Sequence, residues 1–129
     1  GVSICYENEF GHLIRKSLPA SAVLINLSEE GWFGNSLAPH QRLQMARMRA
    51  MESGRALIRA SNNGLSALIS AKGKLLTVAP QFQPDTVRGS VVPMSGVTPF
   101  VRLGNLPILL LSVMVIAGSF LKRFRYRTV

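Results

Sequence analysis

The residue best suited to do chemistry is Cys5, the one cysteine of the chain. It follows Val2-Ser3-Ile4, whose apolar β-forming residues predict a strand that delivers Cys5 at its carboxyl end. Strand ends of this kind are where α/β folds place their chemistry. Because side chains alternate along a strand, Glu7 is expected on the same side as Cys5, so that a carboxylate stands near a thiol. A lone cysteine is equally compatible with a small buried apolar residue.

A second candidate group is the aromatic pair Trp32 and Phe33. The run from Ala22 to Leu27, which is apolar apart from Asn26, predicts a strand that is covered on both faces. Gly31 and Gly34 then mark a loop after the strand, and this loop carries the two aromatic rings. The rings are therefore candidates to line a site, although the same position would let them close the edge of the core.

Two helices are predicted to support these strands. A short helix begins after Asn8, which could cap it, and ends before Pro19. A long helix runs from His40 to Ser53, since the segment is rich in good helix formers. On this long helix, Met45, Ala46 and Met48 are expected to face the core, and Gln41, Arg42 and Arg49 to face water or an anion.

The middle of the chain predicts an antiparallel meander. Asn62-Asn63-Gly64 is a tight-turn signal between strands at 56–61 and 65–69, and another turn leads to a strand at 75–79. A further short strand is expected at 87–92. Together with the preceding helices and strands, this order predicts an α/β fold with mixed sheet pairing.

The last segment is expected to meet lipid. Residues 101–121 are predicted as a transmembrane helix, because the charge-free run within them would be about 24 Å long. Residues 122–129 are basic and predict a cytoplasmic tail, which places residues 1–100 on the opposite face of the membrane. A buried helix of a soluble core is the alternative to the span. The tail could also contact nucleic acid, but a topology anchor that meets membrane lipid explains it more simply, so no nucleic acid partner is predicted.

No metal or cofactor is predicted. His40 is a possible acid or base, but no second histidine, cysteine or carboxylate stands at ligand spacing around it. The formal net charge of +9 is divided between the central arginines and the carboxyl-terminal tail, so the basic residues do not form a single nucleic-acid-like patch.

Several motifs follow one another along the chain. They are Val2-Ser3-Ile4-Cys5-Tyr6-Glu7, Asn26-Leu27-Ser28 leading to Trp32-Phe33-Gly34, Pro39-His40-Gln41 with Gln44-Met45-Ala46-Arg47-Met48-Arg49-Ala50, Arg59 with Asn62-Asn63-Gly64, and Gly96-Val97-Thr98-Pro99. In this order they resemble the carboxyl-terminal part of the bacterial apolipoprotein N-acyltransferase family, a membrane-bound branch of the nitrilase (carbon-nitrogen hydrolase) superfamily. The resemblance implies an α/β fold in which residues 1–100 form the carboxyl-terminal half of a nitrilase-like αββα sandwich, followed by one transmembrane helix.

The resemblance also implies an activity in lipoprotein biosynthesis. An acyl chain would pass from a phospholipid, through a cysteine thioester, to the amino-terminal cysteine of a diacylated apolipoprotein. The expected location is the bacterial inner (plasma) membrane, with several spans in the full-length protein. Cys5 matches the family's nucleophile, and Tyr6 and Glu7 match the two residues that follow it, so all three are expected in the catalytic site. Trp32 and Phe33 are expected to bind substrate.

The chain departs from the family in two ways. The glutamate base and the lysine of nitrilase-like enzymes have no match here, so this fragment alone is expected to be inactive. Glu29-Glu30-Gly31 stands where the family usually has Asn-Asp-Ala, which would alter the field at the site. Two other interpretations stay open: a nitrilase-type amidase that hydrolyses a small amide, and a non-catalytic membrane-tethered binding module in which Cys5 is structural.

Overall fold

The computed structural model describes residues 1–125, with side-chain surroundings for residues 1–119. Its centre is a five-stranded sheet in the order β1 (Val2–Ile4), β2 (Val23–Glu29), β3 (Ala56–Asn62), β4 (Ala67–Ile69) and β5 (Leu75–Val78). The first three strands run parallel, and β3, β4 and β5 pair antiparallel. The predicted α/β fold with mixed pairing is therefore confirmed.

Helices connect and cover these strands. They are α1 (Gly11–Lys16), α2 (Ala38–Ser53), α3 (Pro99–Leu103) and α4 (Leu106–Arg125), with 3₁₀ turns at Cys5–Glu9 and Gly31–Phe33. The predicted long helix is confirmed as α2, which has Pro39 in its first turn and stops at Gly54, where φ is 63°. The predicted cap at Asn8 is wrong, because Asn8 is buried in the first 3₁₀ turn and Phe10 precedes α1.

The core lies between α2 and one face of the sheet. Its buried side chains are Ile14, Leu24, Leu43, Ala46, Ala50, Leu57, Leu65, Ala67 and Ile69. Ala46 and Ala50 let the helix approach the strands closely, because their side chains end at Cβ. Met45 and Met48, predicted to face the core, are largely exposed, since they lie on the other side of the helix.

The opposite face of the sheet is apolar and uncovered among the described residues. Val2 pairs with Ile25 and Ile4 pairs with Leu27, so these side chains share one face. Val2 is 67%, Ile4 64% and Leu27 48% exposed. The prediction that residues 22–27 form a strand covered on both faces is therefore wrong for the second face. We define Val2, Ile4, Ile25 and Leu27 as the open face.

Two predictions about the later chain are also wrong. Residues 87–92 form no strand, and this connector instead runs along the surface. The predicted transmembrane helix at 101–121 is interrupted, because α3 ends at Leu103, Gly104 adopts φ 59°, and α4 starts only at Leu106. None of the helices within residues 1–125 is long and apolar enough to span a bilayer.

The segment before α4 is attached to the sheet domain through α3. Arg15 of α1 donates hydrogen bonds to the carbonyl oxygens of Val101 and Arg102. The other predicted boundaries, a catalytic-domain part at residues 1–100 and a basic tail at 122–129, stay predictions. Of the predicted basic tail, residues 126–129 lie outside the described residues.

Candidate active site

Cys5 stands where the parallel strand β1 gives way to a turn. Its φ is 50°, a left-handed conformation that a residue with a side chain rarely adopts. The strand therefore ends at Ile4, and the predicted placement of Cys5 and Glu7 on one side of an extended chain is wrong. The Glu7 carboxylate instead accepts a hydrogen bond from the backbone N–H of Ile4 at 2.8 Å. Cys5 itself is a free cysteine and is partly exposed.

The turn that carries Cys5 is held by Asn26 of β2. This side chain is fully buried, and its Nδ2 donates to the carbonyl oxygen of Cys5 at 3.3 Å and to Ser3 Oγ at 3.1 Å. Its Oδ1 accepts a hydrogen bond from Arg59 at 2.7 Å. The Asn26 amide thus links the backbone of Cys5 to the charged groups behind it.

Three donors surround the sulfur. Arg42 Nη2 lies 3.7 Å from Cys5 Sγ, and Ser28 Oγ lies 4.0 Å from it. The hydrogen bond from Arg42 lowers the pKa of the Cys5 thiol, outweighing partial burial, which raises it; the backbone N–H of Glu29 and the Ser28 hydroxyl lower it further. The arrangement therefore favours a thiolate, which is the nucleophilic form of cysteine.

Arg42 belongs to a buried cluster of four charges that we call the charge cluster, formed by Glu9, Glu30, Arg42 and Arg59. Arg42 Nε lies 2.7 Å from Glu9 Oε1 and 3.3 Å from Glu30 Oε1. The closer contact is a charge contact rather than an aligned hydrogen bond, because neither atom has a partner in hydrogen-bonding geometry. Glu30 Oε1 also accepts from Arg59 Nη2. Burial lowers the pKa of Arg59, although the Glu30 carboxylate opposes this change.

The predicted aromatic residues divide into two groups. The Arg42 guanidinium lies 6.0 Å from the centre of the Tyr6 ring and 5.6 Å from that of Phe33, so both rings flank the cation beside the sulfur. Trp32 is 87% exposed, so neither it nor Phe33 is a plug of the core. The structure thus brings Cys5, Tyr6 and Phe33 together around Arg42, whereas Glu7 and Trp32 point elsewhere.

The prediction that Arg42 faces water or an anion holds for the anion, because it contacts the carboxylates of Glu9 and Glu30, but its burial and its contact with Cys5 are not predicted. A signal was present: Arg42 precedes Ala46 by four positions and Ala50 by eight, which puts it on the helix face that carries these alanines. A buried arginine on that face requires carboxylate partners, and Glu9 and Glu30 supply them. Within the described part of the chain, no three His, Cys, Asp or Glu side chains are grouped to hold a metal ion.

The fold and the thiol site agree with one superfamily. The family model described as carbon-nitrogen hydrolase matches residues 1–96, so the chain belongs to the carbon-nitrogen hydrolase family. A solved structure with the same fold is Saccharomyces cerevisiae Nit3, a member of branch 10 of the nitrilase superfamily. It is 23% identical with a TM-score of 0.55, and the match covers 63% of this chain and 33% of that one.

Within the family, the chain is similar to curated proteins named apolipoprotein N-acyltransferase. The Methylococcus capsulatus protein is 42% identical over 95% of this chain and 24% of its own length. The Haemophilus influenzae protein is 47% identical over 87% of this chain and 22% of its own length. The predicted resemblance is confirmed, and the chain spans about a quarter of the length of these relatives.

Proposed function

We propose that this chain is the nucleophile-bearing, carboxyl-terminal part of an apolipoprotein N-acyltransferase. In this proposal it moves an acyl chain from a phospholipid to the amino-terminal cysteine of a diacylated apolipoprotein. The observation that carries the proposal is Cys5, a partly exposed residue at the end of a parallel strand, whose sulfur lies 3.7 Å from a buried arginine. Its support from comparison is the 42% and 47% identity to proteins of that name.

The reaction takes place in two steps at one sulfur. The Cys5 thiolate attacks the ester carbonyl carbon, the C–S bond forms, and the ester C–O bond breaks as the lysophospholipid oxygen leaves and takes a proton. The acceptor amine then attacks the thioester carbon, an amide bond forms, and the C–S bond breaks. The amine gives up a proton and the thiolate is regenerated, so no external oxidant or reductant is needed.

The described side chains account for part of this chemistry. Tyr6 and Phe33 flank Arg42 beside the sulfur, which supports a role for them in contacting the acyl chain, and Trp32 offers an exposed aromatic surface for the same lipid. The glutamate base and lysine expected from the resemblance have no match in this chain. We therefore propose that it acts as part of a longer polypeptide and is inactive by itself.

A second sheet from that longer polypeptide is proposed to cover the open face, completing an αββα sandwich. The open face supports this proposal because its side chains alternate in register and are apolar, as the inner layer of a sandwich requires. The relatives, of which the chain spans about a quarter, contain enough additional sequence to supply such a sheet.

The proposed location is the bacterial inner membrane. Helix α4 supports contact with membrane lipid, because its side chains from Leu106 to Ile116 are apolar apart from Ser112 and are exposed. The predicted sidedness, with residues 1–100 periplasmic and the carboxyl terminus cytoplasmic, depended on a span between them and stays a prediction.

Acyl trapping on Cys5 tests this function. The full-length protein is incubated with phospholipid carrying a labelled acyl chain and without acceptor, and the label is located by mass spectrometry. We expect the label on the Cys5 peptide and its release by neutral hydroxylamine, which cleaves thioesters. A Cys5→Ala, Ser36→Cys double variant keeps one thiol in the chain but moves it to an exposed position, and it should trap no label.

The same experiment distinguishes the two alternatives. A nitrilase-type amidase would hydrolyse a small amide without taking an acyl group from phospholipid, and a binding module would form no covalent adduct. Label that persists in the double variant, or wild-type protein without label, would contradict the acyltransferase proposal.

A further inference from the structure

We propose that Arg42 is a positioning residue that stabilises the anionic form of the Cys5 sulfur and fixes its direction. This inference rests on the proposed role of Cys5 as the acyl-carrying nucleophile. Arg42 is not among the site residues predicted from the sequence motifs. The inference follows from the contacts of its guanidinium group with Glu9, Glu30 and Cys5.

The first argument is that different nitrogens of Arg42 contact different groups. Its Nε faces Glu9 Oε1 at 2.7 Å and Glu30 Oε1 at 3.3 Å, whereas Nη2 faces Cys5 Sγ at 3.7 Å. The two carboxylates therefore hold one edge of the guanidinium, and another nitrogen is available to the sulfur. A planar group held in this way keeps a fixed orientation, which a flexible ammonium would not.

The second argument is burial. Arg42 is only 7% exposed, so its charge cannot be neutralised by bulk water and must be balanced by nearby groups. Burial lowers the pKa of Arg42, but Cys5, Glu9 and Glu30 together outweigh it and keep the pKa above the ordinary arginine value. Arg42 is thus a permanent cation beside the thiol.

The third argument is the charge count around the sulfur. Three donors face it directly: Arg42 from α2, and the Ser28 hydroxyl and the Glu29 N–H from β2. Glu9, Glu30 and Arg59 lie behind Arg42, Tyr6 flanks Arg42, and the Glu7 carboxylate is bound to the N–H of Ile4. The charge cluster holds two cations and two carboxylates and is formally neutral before the thiol ionises. Ionisation is then governed by the nearest charged donor, which is Arg42.

The test measures the thiol directly. In the full-length protein, the rate of Cys5 alkylation by iodoacetamide is followed against pH by mass spectrometry, because only the thiolate reacts. Arg42→Gln removes the cation, so the midpoint of the profile should rise by about one pH unit, and alkylation at pH 7 should slow about tenfold. Arg42→Lys keeps the charge but loses the planar guanidinium. The midpoint of its alkylation profile should therefore lie between those of wild type and Arg42→Gln.

A matched control is available on the same helix. Arg47 donates to the carbonyl oxygen of Gly73 at 2.8 Å and has no contact with Cys5, so Arg47→Gln should leave the alkylation profile unchanged. If Arg42→Gln does not fold, the double variant Arg42→Gln, Glu9→Gln removes one cation and one carboxylate together and keeps the buried charges balanced. Its midpoint should also rise.

The outcomes separate this inference from the proposed function. An alkylation profile that is the same in folded Arg42→Gln protein and in wild type would overturn the role of Arg42, even if Cys5 traps an acyl chain. A shifted profile in a protein that traps no acyl chain would support the effect of Arg42 on the thiolate and overturn the acyltransferase proposal instead.

Discussion

At the scale of single residues, the site depends on how the chain turns at Cys5. A φ of 50° at a residue with a side chain costs free energy, of the order of 1 kcal/mol, unless neighbouring groups hold it. Two groups do so here. Asn26 binds the carbonyl oxygen of Cys5, and the Glu7 carboxylate binds the N–H of Ile4 just before it. The sulfur is thereby directed outward at the end of β1.

Removing the Glu7 carboxylate should loosen this turn. Glu7→Ala leaves the Ile4 N–H without its 2.8 Å partner, and a lost side-chain cap of this kind costs about 1 kcal/mol. We expect acyl trapping on Cys5 to slow about fivefold, measured in single-turnover experiments on the full-length protein. Glu7→Gln retains an oxygen acceptor and serves as the control. If the alanine variant matches wild type, Glu7 does not maintain the site.

Some residues of the site followed from the sequence and others did not. Cys5 was predictable because a lone thiol after a β-forming run stands out by type and position. The direction of Glu7 was not, since it depends on a φ that departs from the strand preceding it. For Arg42 the sequence predicts water or an anion as its neighbour, but it does not show that the anions are the buried carboxylates of Glu9 and Glu30 from two other parts of the chain.

At the scale of elements, apolar patterns and turn residues predicted β2, α2 and the meander of β3 to β5. The pattern failed where tertiary contacts decide the structure. Residues 87–92 are β-forming but pair with no strand, and a helix across 101–121 is interrupted at Gly104, where the left-handed φ ends α3. Hydrophobicity alone does not predict that Arg15 of α1 donates hydrogen bonds to α3 just before this break.

Helix α3 depends on a single hydroxyl group. Thr98 Oγ1 accepts from the N–H of Val101 at 3.2 Å and donates to the Glu52 carbonyl at 2.6 Å, so it caps α3 and ties it to α2. Thr98→Ala should lower the free energy of unfolding by about 1 kcal/mol, seen as a reduced melting temperature of the full-length protein. Thr98→Ser keeps the hydroxyl and should lose much less. Equal losses in both variants would argue against the cap.

At the scale of the whole molecule, the sheet is covered on one face only. The helices bury Leu24, Leu57 and Ile69 on the inner side, while the open face keeps Val2, Ile4 and Leu27 in contact with water. Exposure of several neighbouring apolar side chains is unfavourable in a soluble state, at about 25 cal/mol per Å². The molecule therefore gains stability from any partner that covers this face.

The isolated 129-residue chain should self-associate through the open face. Light scattering during size-exclusion chromatography should show species larger than a monomer, together with binding of a dye that fluoresces on apolar surfaces. Replacing Val2, Ile4 and Leu27 with threonine, which keeps β-propensity, should reduce both signals. Leu76→Thr and Val78→Thr on β5 serve as the control and should reduce them less. A monomeric wild-type chain would contradict the prediction.

The strand that leads to the sulfur is joined to the described sheet by three residue pairs with β2. Separation of β1 from β2 would displace Cys5 while the rest of the fold remains intact. In the proposed full-length acyltransferase, loss of acyl transfer on warming would then precede global melting, so local fraying rather than overall thermodynamic stability would set the working temperature range.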